Sequence, residues 1–202
     1  MAVVSMRARR RFWQIGLAGL ILCLVWLTQL IVLSLLPLRA VLCSLPLMLT
    51  IVWGAVFGSP LQMPRADELR RVPLGQIMTM QLLSGSLSGA LVGAFFGALY
   101  SSIIPTFPVS FPIIGWVAGY FCLRNFNQGV LLCVPLVLLL SVFAESIMAC
   151  QLYLMGRPDV LNHLVQIAVP ESIVNAILAP FVFIPMRGWH EFTKTAEQVR
   201  RA

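Results

Sequence analysis

Charge is scarce in this chain: of 202 residues only 14 are lysine or arginine and 7 aspartate or glutamate, 10% in all, against about 25% in an ordinary soluble domain. So few charges cannot cover the surface of a water-soluble globule, and disorder is excluded because it needs a polar composition. The five cysteines (Cys23, Cys43, Cys122, Cys133 and Cys150) lie in or beside apolar runs with no CxxC or other paired spacing. That excludes a disulfide-stapled secreted fold and leaves them as buried free thiols. Histidine is limited to His163 and His190, neither with a His or Cys partner at ligand spacing. Both are expected on the surface near membrane ends, and no metal site or cofactor is expected. Catalytic signatures are also lacking: there is no P-loop, no HExxH and no acid pair at metal-binding spacing. SGSLSG has Leu87 where a GxSxG elbow needs its serine. An enzyme is not expected.

What the chain has is hydrophobicity, 59% of residues with a mean hydropathy of +0.92, gathered in runs long enough to cross a bilayer. The fold class expected is all-α, a polytopic membrane protein of about six transmembrane helices. A basic N-terminus over residues 1–11 (Arg7, Arg9, Arg10, Arg11) leads into an apolar run from Phe12 to Leu36. The run exceeds a signal-peptide core and lacks a cleavage site, so it reads as a retained first helix. A second run covers Ala40 to Phe57, and a polar loop follows over 58–75, with Arg65, Asp67, Glu68, Arg70 and Arg71. Further helices fit Gln76 to Ser102, roughly Ser110 to Leu123, Gly129 to Met155, and roughly Val169 to Met186. The transmembrane domain is thus 12–186. The tail 187–202 reads as a short amphipathic helix on the membrane surface, with Trp189, Phe192, Ala196 and Val199 on one side.

Arginine and lysine set the orientation. With six spans and a cytoplasmic N-terminus, twelve basic residues fall inside and only Arg39 and Arg157 outside, the asymmetry of the positive-inside rule. Both termini are then cytoplasmic. The net charge of +7 follows from topology plus attraction to anionic membrane lipids, so no nucleic-acid partner is implied.

Three features stand out within the helices. Gly85, Gly89, Gly93 and Gly97 recur at steps of four, making one smooth stripe on the third helix, and Gly115 with Gly119 repeats the device on the fourth. Small-residue stripes let helices approach closely in lipid. Packing within this chain is the preferred reading, contact with a partner protein the other. Glu145 stands deep in the fifth helix, between VLLLSVFA and SIMAC, about 18 Å of helix from Arg157. Exposure to lipid is costly for such a carboxylate, so it should point inward and find a donor or a proton. It serves either as a substrate, proton or partner site, or as a buried hydrogen-bonding group facing Gln81 or Asn175. Glu171 opens the sixth helix, where the helix dipole favours a carboxylate. It forms a row with Asn175 and Ala179 that suits contact with a neighbouring helix, while Pro180 and Pro185 should kink the helix unless neighbours restore the freed carbonyls.

The stretch VPESIVNAILAPFVFIPMRGW, Val169 to Trp189, resembles the closing helix of the MreD family, membrane subunits of the bacterial rod-shape machinery. Gln29 to Pro37, PLMLTIVWGAVFG in the second helix, Gly93 to Ser101, the trio Gly115, Gly119 and Tyr120, and Glu145 resemble further family segments in order. The resemblance extends over about four fifths of the chain. Two places depart from it: Tyr100, Ser101 and Ser102 stand where the family commonly has an Asp, whose role therefore does not carry over, and the 58–75 loop is longer. The resemblance implies a non-enzymatic inner-membrane scaffold that binds MreC and helps couple MreB to the peptidoglycan synthases, RodA and its partner penicillin-binding protein. It also implies the six-helix architecture of substrate-binding subunits of energy-coupling-factor vitamin transporters. The alternative function is therefore a small-molecule-binding transport subunit, although the alanine AxxxA docking pattern of those subunits is absent from Phe12 to Leu36, where Ala18 stands alone.

Overall fold

A computed structural model describes residues 16–31, 44–58, 86–100, 107–121, 130–156 and 164–198. The chain divides into two compact units, Met1–Ala40 and Val41–Ala202. Every described element is helical, and there is no strand among the described residues.

In the first unit, α1 (Gly16–Ile31) is an apolar helix. Its leucines Leu17, Leu20, Leu24 and Leu27 are exposed, and Thr28 Oγ1 donates to the Leu24 carbonyl at 2.8 Å. That bond satisfies a hydroxyl on an otherwise apolar surface.

The second unit is organised around α2 (Leu45–Phe57), which is buried continuously from Pro46 to Val56. A helix apolar all round is stable only when enclosed, and α2 meets every other helix of the unit. These are α3 (Leu87–Tyr100), α4 (Phe107–Tyr120), α5 (Cys133–Leu154) and α6 (Val169–Gln198). A 3-10 turn, Val130–Leu132, leads into α5, and a π-helical turn, Leu164–Ala168, leads into α6. The π turn precedes Pro170, which has no N–H to offer the carbonyl four residues back, so the regular ladder is broken there.

Two stretches, Val130–Leu154 and Leu164–Phe192, are long and apolar enough to cross a membrane, while Gly16–Ile31, Leu45–Phe57, Leu87–Leu99 and Val109–Tyr120 are apolar but shorter.

The helices differ from expectation in three places. The third does not run unbroken from Gln76: α3 begins at Leu87, because Ser86 accepts the Gly89 amide on its Oγ at 2.9 Å and acts as N-cap. Residues 59–85, including Gln76, Gln81, Gly85 and most of the polar loop, lie outside the described residues. The fourth helix starts earlier, at Phe107, and carries Pro112 inside it. The sixth does not stop at Met186. It continues through Pro180, Pro185 and the expected separate tail helix to Gln198.

Candidate functional site

The glycines bring three helices together. A methyl group built on Gly89 of α3 would lie 2.7 Å from the Gly54 Cα of α2 and closer still to the Gly115 carbonyl oxygen of α4. One glycine from each helix therefore meets at a single point. Four residues along α3, a methyl on Gly93 would lie 2.6 Å from the Phe111 carbonyl carbon and 2.8 Å from the Pro112 nitrogen. At the other end Gly119 abuts Ser86, and Gly58 lies against Gly119. Ascending α3 pairs with descending α4, so the two are antiparallel. Their backbones come close enough for the Ser86 N–H to donate to the Trp116 carbonyl at 3.3 Å, a bond between two helices that side chains normally prevent. Gly97 is also buried. The sequence reading missed Gly54 and Gly58, although GAVFG in α2 carries the same four-residue step.

Both α5 and α6 carry buried polar residues. Glu145 is 6% exposed, whereas Ser141 and Asn175 are fully enclosed. Glu171, in the first turn of α6, is half-buried. Asn175 does not serve Glu145 as a hydrogen-bond partner: its Oδ1 accepts the Ser44 N–H at 2.9 Å across 131 residues of chain. Ser44 is the N-cap of α2 and makes no side-chain cap of its own. Asn175 thus supplies from α6 the acceptor that a capping box would supply locally. Ala179, the next residue of the row, is fully buried.

At the far end of α2 an aromatic group explains why α6 runs on. Trp189 meets Trp53 edge-on at 5.7 Å and Phe57 at 5.6 Å, and His190 meets Phe57 at 5.1 Å. His190 is therefore a packing residue, not a free surface one. These contacts, each worth about 0.5–1.5 kcal/mol, hold the segment after Pro185 against α2. Arg187 Nε donates to Glu191 Oε1 at 2.8 Å one turn on. His163 lies outside the described residues.

The cysteines need a correction. Cys133 is buried, but Cys23 and Cys150 are exposed free thiols, because a thiol is apolar enough to sit on the outer face of an apolar helix. Cys43 and Cys122 lie outside the described residues. No group of three or more His, Cys, Asp or Glu residues able to hold a metal occurs among the described residues.

Among the described residues the molecule is thus all-helical, with two helices long and apolar enough to cross a membrane. Comparison with known protein families, with curated proteins and with solved structures finds no match.

Proposed function

We propose that the chain is a six-helix inner-membrane scaffold of the MreD type, with both ends in the cytoplasm. On this reading it binds MreC and helps couple MreB to peptidoglycan synthesis by RodA and its penicillin-binding partner. The observation that carries the reading is the Val169–Trp189 segment, whose order of proline, asparagine, small and aromatic residues resembles the family's closing helix. The arginine asymmetry supports the topology.

Two structural features agree with such a role. At 30 residues, α6 is about 45 Å long, more than the hydrocarbon thickness of about 30 Å, so one end projects from the bilayer. Its outer side carries Ile173, Ile177, Phe181 and Ile184, all exposed, a row suited to lipid or to an apolar surface of a partner. The glycines are internal packing points in this reading, so partner contact falls to such outer rows.

Solubilising the tagged chain in mild detergent and identifying what co-purifies tests the proposal. Recovery of MreC is the expected result. A bound vitamin or an ATPase module in its place overturns the scaffold and establishes the transport-subunit alternative. A reporter fused after Ala202 should stay in the cytoplasm, and its export would overturn the six-span topology.

A further inference from the structure

We infer that the outer face of α6 around Phe181 and Pro185 docks one membrane-spanning helix of a partner protein, and that a hydroxyl or carboxamide side chain of that helix donates to the Phe181 carbonyl. An α-helix pairs each carbonyl with the N–H four residues on. Pro180 and Pro185 stand inside α6 and have no N–H, so the Ala176 and Phe181 carbonyls lose that partner. The two lie on different sides. Ala176 is buried and Pro180 half-buried, which turns the first carbonyl towards the bundle. Phe181 is 74% exposed and Pro185 is exposed as well, so the second opens outward, beneath the Pro185 ring.

Within hydrocarbon such a carbonyl can be satisfied by a hydroxyl side chain of its own helix, by a local 3-10 or π turn, by an ordered water or by a neighbouring helix. The first three fail here. Residues 176–186 read AILAPFVFIPM, without one hydrogen-bonding side chain. The helix is α-helical without a break from Val169 to Gln198, so no change of pitch brings up another N–H. Phe181 lies about 4.5 Å along the axis from the middle of the apolar stretch Leu164–Phe192, well within a hydrocarbon half-thickness of about 15 Å, where bulk water does not reach. A neighbouring helix remains. It is neither α2 nor α5, against which α6 packs, because the packed side of α6 is the one that buries Ala179, Phe183 and Met186.

The face also selects its occupant. Ile173, Ile177, Phe181 and Ile184 form one exposed apolar strip, about 17 Å long, which suits the side of a helix. Acyl chains cover such a strip but offer no donor, so lipid alone leaves the carbonyl unpaired. The same stretch of α6 in a second copy has no donor either. A serine, threonine, asparagine or glutamine on a partner's helix supplies one, the kind of polar contact that joins helices in lipid.

Docking here rests on the membrane reading through the depth of Phe181, and it names the side of the chain that a scaffold's partner meets. The probes are two membrane-spanning polyleucine peptides, one with a single central serine and one without, reconstituted with the full chain in phosphatidylcholine vesicles. A photocrosslinking benzoylphenylalanine replaces Ile177, one turn from Phe181 on the same strip. The serine peptide should crosslink about three to ten times more than the plain one. Pro185→Ala, which returns an N–H to the Phe181 carbonyl, should abolish that preference. Equal yields from the two peptides with Pro185 in place overturn the docking, as does a preference that survives Pro185→Ala or crosslinking chiefly between copies of this chain. Release of the chain from cell membranes by alkaline washing overturns the membrane reading and the docking together, whereas retention with equal peptide yields overturns the docking alone.

Discussion

Gly89→Ala isolates the three-helix contact with the smallest possible perturbation, one methyl group. That methyl would sit 2.7 Å from the Gly54 Cα and 3.0 Å from the Gly115 carbonyl carbon, whereas carbon atoms rest at about 3.5–4.0 Å, so α3 must move out by about 1 Å. The obstructing atoms are backbone on two different helices and cannot swing aside as a side-chain tip would. Overpacking of this kind costs about 1–3 kcal/mol, and two rigid walls place it near 3. Alanine's better helix propensity returns about 1 kcal/mol. The net loss is about 2 kcal/mol, which for a chain of this length lowers the melting temperature by about 4–8 °C. The assay is thermal unfolding in detergent followed by tryptophan fluorescence, with Gly188→Ala as the control made in open space. Gly115→Ala forces the same helices apart, since its methyl would press on the Gly89 carbonyl. The double variant should therefore lose less than the sum of the singles. Equal melting of Gly89→Ala and the control would refute the claim that backbone contact at this point holds the three helices together.

Other substitutions probe the remaining contacts. Gly89→Leu and Gly93→Leu should abolish stable accumulation in membranes, read by immunoblot; normal accumulation with lost MreC recovery would instead put the glycines at the partner surface. Asn175→Ala removes the acceptor for Ser44 and should cost about 1–3 kcal/mol, seen as a lower melting point and faster amide exchange at Ser44; unchanged exchange would dismiss the cap. Trp189→Ala should cost about 2 kcal/mol through its lost ring contacts and loosen the end of α6, which limited proteolysis after Met186 would detect. Glu145→Gln keeps shape and removes charge; on the proposed scaffold function altered cell morphology on complementation is expected, and normal morphology would remove Glu145 from the functional residues.

Much was legible before any fold was known. Few charges and long apolar runs determine an all-helical chain, because a backbone among apolar groups must bond to itself. The four-residue glycine step likewise shows that α3 has a face for close approach. What the sequence could not say is which surfaces use that face, since proximity belongs to pairs of helices and local periodicity describes one at a time. Tertiary structure alone decided that Gly89 meets Gly54 and Gly115 and that Ser86 caps a helix rather than lying inside one. It also paired Asn175 with Ser44, 131 residues earlier, instead of with Glu145. The continuation of α6 past two prolines depends on the same kind of information: Trp189 and His190 look like part of a separate surface helix until Trp53 and Phe57 are placed beside them.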